Sequence, residues 1–224
     1  GVRRLSLIDL DHVAESNINR QVHATTPALG MAKVQAMRER IAQIHPGCQV
    51  DGIEDFVSTA NWAGLVSQLG IDASDDAVVI IDACDQVRAK LVMAAWALEH
   101  QALLVTVGAA GGKRHAQAIE TGDLAEVTHD PLLAQLRQRL RKHHGAARQG
   151  RIGLNCIFSR ESVAPPHASC DLGEGDGTLN CHGYGSVVTV TASFGFCAAG
   201  AALDALAGSA SKISKRSSMK VKKD

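Results

Sequence analysis

Leu5-Ser6-Leu7-Ile8-Asp9-Leu10-Asp11, followed by Ser16-Asn17-Ile18-Asn19-Arg20-Gln21, decides how the chain folds. Leu5 to Ile8 is a short apolar run, β-branched at Ile8 only, that ends abruptly at Asp9. Such a run predicts a buried parallel strand with a carboxylate at its C-terminal end. In open α/β sheets nucleotides lie along that edge, and an acid at a strand end hydrogen-bonds ribose hydroxyls. The Asn17-Asn19-Arg20-Gln21 cluster is polar, compact and unsuited to a core. Further on, Lys33 falls in the opening turns of a predicted helix. Arg and Lys converging near a helix start fit a phosphate, because a guanidinium fork and an ammonium point charge both donate to phosphoryl oxygens.

Outward from this stretch, the chain alternates strands and helices. Thr26-Pro27 reads as a helix opening, a cap followed by the proline favoured at the first helical position. Val34, Met37, Ile41 and Ile44 recur at three- and four-residue spacing as an inward stripe, and His45-Pro46-Gly47 stops it. Strands are expected over 48–56, 77–82 and 103–107, with helices over 59–69 and 87–99 between them. That alternation indicates a mostly parallel sheet. Beyond the glycine turn at 108–112 the pattern loosens. A strand is expected near 117–120, a helix with Leu132, Leu133, Leu136 and Leu140 on one face, and a strand over 152–158. A long irregular run over 163–184 follows, a length that often carries function. An Ala- and Gly-rich helix is expected over 187–206.

Composition sets the class. The chain has 224 residues, 46% hydrophobic and 21% charged, which suits one soluble globular domain, or one with a small appendage. Aromatics make up only 3%, so the core must be mostly aliphatic. A formal net charge of zero argues against a globally basic nucleic-acid binder and leaves local patches open. The six cysteines form no C-x-x-C pair, so no paired-cysteine zinc site is visible. With no secretory signal, they point to a reducing compartment and a cytoplasmic protein. The uncharged stretch 185–203 is diluted by Thr189, Thr191, Ser193, Gly195 and Gly200 and broken by Asp204, which favours a packed helix over a membrane span.

Several motifs together carry a family resemblance: 8–13, 16–21, Lys33, and Asp82-Ala83-Cys84-Asp85. The chain resembles the ubiquitin-activating-enzyme-like superfamily of ThiF, MoeB and HesA. Within it, Asp130-Pro131-Leu132, Cys156-Ile157-Phe158-Ser159 and Thr189-Val190-Thr191-Ala192-Ser193-Phe194-Gly195-Phe196 resemble the tRNA threonylcarbamoyladenosine dehydratases. The likeness runs from residue 1 to about residue 208, and its multi-point spacing is far more specific than any single glycine pattern. One departure stands out. The family carries a glycine-rich phosphate loop on a strand-turn-helix unit just before this point, and no G-x-G-x-x-G precedes Asp9. The expectation is therefore an α/β, Rossmann-like, mostly parallel sheet with a C-terminal extension, lacking the first strand-loop-helix unit. An N-terminally truncated adenylating domain would cover 1–208, and a basic, disordered tail 209–224.

The resemblance implies ATP-dependent dehydration of threonylcarbamoyladenosine in tRNA through an acyl-adenylate, with magnesium, in a homodimer. It implies that Asp9, Asn17, Arg20 and Lys33 contact ATP and that Asp85 holds magnesium. Asp85 also reads as a helix N-cap, and the two roles are compatible. Asp11 is left as a further ATP contact or only a turn former. Arg88 and Lys90 read as phosphate contacts or as solvated helix charges, with solvated favoured. Cys181, beside His182 and ahead of the last helix, resembles a family cysteine. It reads either as a catalytic nucleophile with a lowered pKa or as an inert thiol. The basic run Arg137, Arg139, Arg141 and Lys142, continuing to Arg148 and Arg151, reads as a tRNA phosphate surface or as the solvated face of an amphipathic helix. Two other functions stay open. One is adenylation of a ubiquitin-like carrier protein, with a sulfur-transfer or carrier partner; the other is a non-catalytic binding module. A nicotinamide oxidoreductase is set aside, since no dinucleotide fingerprint is present.

Overall fold

Strand β1 (Arg4–Ile8) lies parallel to β2 (Gln49–Ile53), in register from Arg4 opposite Gln49 to Ile8 opposite Ile53. The Asp9 amide donates to the Ile53 carbonyl (3.2 Å), so the ladder runs one residue further and pins the acid at the strand end. The structure is a computed structural model that describes residues 2–72, 78–163 and 185–220, with side chains described as far as residue 208. It divides into two compact units, Gly1–Leu65 and Val66–Asp224.

In the first unit, helix α1 (Lys33–Ile44) links the two strands. Thr26-Pro27 opens only a single 3-10 turn, Thr26–Ala28, and the α-helix begins at Lys33 instead. The inward stripe is also shorter than expected. Val34 and Ala36 are buried, whereas Ile44 is 71% exposed, because α1 meets β2 through its N-terminal turns and its far end projects outward. Small residues, Ala24, Ala28 and Ala36 with Val13, fill the core beneath it. Helix α2 (Trp62–Gln68) follows, with Trp62 and Leu65 buried.

The second unit holds a four-stranded sheet in the order β3-β4-β6-β5. Strands β3 (Val79–Asp82), β4 (Leu103–Val107) and β6 (Asn155–Ser159) are parallel, and β5 (Ile119–Asp123) runs antiparallel to β6. Side chains alternate faces along a strand. Leu104, Cys156 and Phe158 therefore join the core under α3 (Val87–His100) and α4 (Pro131–His143), while Val105, Val107 and Ile157 face α5 (Val188–Lys220). With helices on both faces, β4 and β6 need apolar residues at nearly every position, which is how they read.

Helix α4 forms as expected. Asp130 caps it by accepting from the Leu133 amide (2.9 Å), Pro131 takes the first turn, and all four leucines are at most 2% exposed. Helix α5 extends beyond the predicted end, and residues 209–220, read as a disordered tail, continue it. That stretch contains no glycine or proline to stop a helix. Val188–Gly208 is long and apolar enough to cross a membrane by length and composition. Here Val190, Phe194 and Ala198 pack on the sheet.

Candidate functional site

The first unit gathers three charged side chains at the end of β1. Asp9 Oδ1 accepts from the Asp11 amide (2.9 Å), which folds the chain sharply after the strand. The Asp11 carbonyl then accepts from the Lys33 amide (2.9 Å), and Asp11 Oδ2 takes the Lys33 ammonium at 2.7 Å. Asp11 thus forms the turn and also holds the cation. The Lys33 side chain is only 13% exposed, so the ammonium is aimed rather than free to wander.

Asn17 and Arg20 make a second, local network. Asn17 is 8% exposed, and its Oδ1 accepts from the Ala14 amide (3.1 Å), closing the 3-10 turn Glu15–Asn17. Arg20 Nη1 donates to the Ser16 carbonyl (2.7 Å) and to Asn19 Oδ1 (2.9 Å). Both acceptors are neutral, so the guanidinium is oriented while its charge stays uncompensated by any acid among the described residues. The described hydrogen bonds tie Asp9, Asp11 and Lys33 to one another, and Asn17 and Arg20 to their own turn.

Sequence reasoning missed His23. Both its ring nitrogens are buried without a hydrogen-bond partner among the described residues, as is Gln21 Oε1. Burial, and then Lys33, pull the imidazole below its usual pKa, while Asp9 works in the other direction. His23 is therefore a neutral imidazole within electrostatic reach of both residues. Buried polar atoms are nearly always paired, so these orphans are suited to a polar ligand. The available signal was its place two residues after Gln21, at the end of the Asn-Arg-Gln cluster.

The second unit has its own polar centre at the C-terminal ends of β3 and β4. Lys90, expected to be a solvated helix charge or a phosphate contact, is fully buried. Its ammonium lies 3.1 Å from Asp82 Oδ2 and 2.7 Å from the Val107 carbonyl, and Thr106 Oγ1 donates to the same Asp82 oxygen (2.5 Å). Helical spacing puts Lys90 next to Ala89 and Met93 on the inward face, and only the buried carboxylate makes that position tolerable for a cation. The other Asp82 oxygen accepts from the Cys84 amide (3.2 Å) and thiol (2.9 Å). Burial and the Asp82 charge push the Cys84 thiol up to about 12, so it stays protonated at neutral pH.

Asp85 lies on the exposed turn that Asp82 braces, and its carboxylate has no partner among the described residues. The N-cap of α3 is Gln86, so Asp85 does not serve as that cap. A lone exposed carboxylate suits magnesium, which is usually held by one or two carboxylates plus substrate phosphates rather than by an all-protein cage. No cluster of three or more metal-ligating side chains occurs among the described residues. Arg88 is exposed, as expected.

The glycine turn after β4 is strapped on both sides. Asp130 Oδ2 accepts from the Ala109 amide (2.8 Å), and a Cβ on Gly108 would collide with this carboxylate, so only glycine fits there. Lys113 is buried and donates to the Ser159 carbonyl (3.0 Å), 3.9 Å from Asp130. Burial lowers its pKa, against the pull of Asp130 and Glu161. Within the basic run, Arg137 is structural as well as cationic, since its Nη1 donates to the Leu124 (3.0 Å) and Val127 (2.7 Å) carbonyls. Cys181, with its neighbour His182, lies outside the described residues.

The chain is 37% identical over 221 residues to the tRNA threonylcarbamoyladenosine dehydratase of Escherichia coli (strain K12), covering 95% of this chain and 80% of that protein. It is 33% identical to the enzyme of the same name from Haemophilus influenzae, over 92% of this chain and 77% of that one. Among solved structures, the E. coli dehydratase TcdA in complex with ATP superposes with a TM-score of 0.76 at 35% identity, covering 95% of this chain and 77% of that chain. The same enzyme in complex with AMP gives a TM-score of 0.77 at 36% identity, over 92% and 77%. The model of the ThiF family matches residues 1–222, and the chain belongs to the ThiF family.

Proposed function

We propose that this chain catalyses the ATP-dependent dehydration of threonylcarbamoyladenosine in tRNA. The observation that carries the reading is the 37% identity to the E. coli dehydratase across 95% of the chain. Structures of that enzyme with ATP and with AMP add the nucleotide. A carboxylate is a poor electrophile until one of its oxygens becomes a good leaving group. The carboxylate of the threonyl group attacks the α-phosphorus of ATP, a new oxygen–phosphorus bond forms, and pyrophosphate departs. The neighbouring carbamoyl group then closes on the activated carbonyl, giving up its proton to solvent, and AMP leaves carrying the carboxylate oxygen. The sum is loss of one water. Because the ring-closing nucleophile belongs to the substrate, these steps require no acyl transfer to Cys181.

Asp9 suits a ribose hydroxyl, as a strand-end acid does in this class of sheet, with Asn17 setting the adjoining turn. Arg20 and Lys33 suit phosphate oxygens, offsetting the negative charge that would repel an incoming carboxylate. The Lys33 ammonium has three donors, so holding Asp11 leaves it able to take a phosphate oxygen as well. Asp85 is the carboxylate for magnesium, which when bound neutralises phosphate charge. A cytoplasmic location and a homodimer complete the reading, and the outward face of α5, where Phe196 is 78% and Leu203 52% exposed, is the apolar surface that favours the dimer. The test is exchange of labelled pyrophosphate into ATP. Exchange that depends on tRNA bearing threonylcarbamoyladenosine is expected. Exchange driven by the C-terminus of a ubiquitin-like carrier protein, and not by that tRNA, would overturn the reading.

A further inference from the structure

The outer side of α4 carries an arrangement that the adenylation chemistry does not use. Ala134, Arg137, Gln138, Arg141 and Lys142 recur at helical spacing along the stripe beside the buried leucines, and together with Arg148 they line an open cleft of about 370 Å³. Arg148 reaches the cleft because the chain folds back after the helix. Arg141 Nε donates to the Ala147 carbonyl (3.0 Å), and the Ala146 amide returns to the Leu140 carbonyl (3.3 Å). Four cations therefore share one lining, with no carboxylate among the described residues that form it.

Two of the four are already oriented. Arg137 Nη1 is spent on the Leu124 and Val127 carbonyls, and Arg141 Nε on that of Ala147, which leaves the other guanidinium nitrogens of each for a ligand. Lys142 and Arg148 are exposed and have no partner among the described residues. The negative end of the helix dipole accounts for cations in the last turn of α4. It does not account for Arg148, which comes from the following loop, or for the lack of any acid. Like charges this close repel unless an anion sits among them. Guanidinium forks match the geometry of carboxylates and phosphates, and phosphates are what a tRNA backbone presents.

We infer that this cleft is a binding site for backbone phosphates of tRNA, apart from the adenylating chemistry. The inference rests on the proposed tRNA substrate. Contacts of this kind hold the nucleic acid in register without reading its sequence. The cleft should therefore take tRNA with or without the threonylcarbamoyl group, and its share of affinity should fall steeply with salt.

The test compares the full chain with Lys142→Ala/Arg148→Ala, and with Arg3→Ala/Arg38→Ala as a control that removes the same charge from exposed positions in the first unit. Each is titrated with modified and unmodified tRNA across a salt series. The cleft variant is expected to bind both tRNAs about tenfold more weakly at low salt, with a log affinity against log salt slope shallower by roughly 1.5, close to one phosphate per cation removed. The control should change affinity by less than about twofold. A cleft variant indistinguishable from the control, with unchanged thermal midpoints in both, overturns the site. The two readings fail separately. Product formed normally with an unaltered tRNA titration in the cleft variant sinks the cleft alone, whereas cleft-dependent binding with no cyclised product sinks the enzymatic reading alone.

Discussion

Lys90→Met tests whether a buried ion pair organises the C-terminal strand edge of the second unit. Methionine matches the length and volume of the lysine stem, so packing against the neighbouring helix positions is kept while the ammonium is lost. What remains is the Asp82 carboxylate, with a side chain 0% exposed, and a Val107 carbonyl without its 2.7 Å donor. Removing one partner of a buried pair costs about 3–5 kcal/mol, because the other charge stays buried and uncompensated. The lower end is favoured here, since Thr106 and Cys84 still donate to the carboxylate. Against a typical total of about 5–15 kcal/mol, that is a large share. With a urea slope on the order of 2–3 kcal/mol per molar, the unfolding midpoint should fall by roughly 1–2 M. The double variant Asp82→Asn/Lys90→Met should lose less than the sum of the two single losses, since each single variant strands what the other removes. Because Asp82 also braces the turn before Asp85 through the Cys84 amide, Lys90→Met should raise the magnesium concentration needed for half-maximal rate. A loss below about 1 kcal/mol by urea titration, with an unchanged magnesium requirement, would refute the reasoning.

Arg20→Ala should lower turnover by about 10²–10³, as removal of a donor to developing negative charge does, with little change in thermal midpoint; steady-state kinetics and calorimetry check both. Asp85→Asn should abolish magnesium-dependent turnover and leave the urea midpoint unchanged, because this exposed carboxylate has no partner to lose among the described residues. Asp123→Asn should destabilise the fold by about 2–4 kcal/mol, since Asp123 accepts from the amides of Ala125 (2.9 Å), Ile152 (2.8 Å) and Gly153 (2.7 Å), and an amide nitrogen in place of one oxygen would face a donor. Burial alone would raise the Asp123 pKa, but these bonds and Arg151 hold it below 3.8. Its contribution is therefore present above the unfolded value and lost as pH falls through the folded one, so the variant should show a flatter stability profile below about pH 4 in chemical denaturation. Gly108→Ala should be strongly destabilising, because the added methyl collides with the Asp130 carboxylate that caps α4; a thermal midpoint within a degree or two of the parent would count against it.

The chain order of strands and helices was legible because each element is short, strongly patterned and bounded by acid, glycine or proline. Leu132, Leu133, Leu136 and Leu140 could be read as one buried face directly. Asp9 and Lys33 could be tied to one site from a strand-end acid and a helix-start cation. What stayed hidden depends on partners distant in sequence. Lys90 looked solvated because nothing local announces the Asp82 carboxylate and Val107 carbonyl that let it be buried. Arg137 looked like a surface charge for the same reason, its carbonyl partners lying ahead of the helix. Thr26-Pro27 carried a helix-start signal that the chain uses for one 3-10 turn. His23 was overlooked because a single histidine has no periodicity, and its interest lies in unpaired ring nitrogens that only packing reveals.

Removal of water from a modified nucleoside in tRNA, at the expense of ATP, can be measured directly. Incubate the purified chain with ATP, magnesium and tRNA bearing threonylcarbamoyladenosine, digest the tRNA to nucleosides under mild conditions, and measure the mass of the modified nucleoside. The account predicts a nucleoside lighter by one water, with AMP and pyrophosphate formed in equal amounts. An unchanged nucleoside mass, while the chain remains folded and binds ATP, would contradict it.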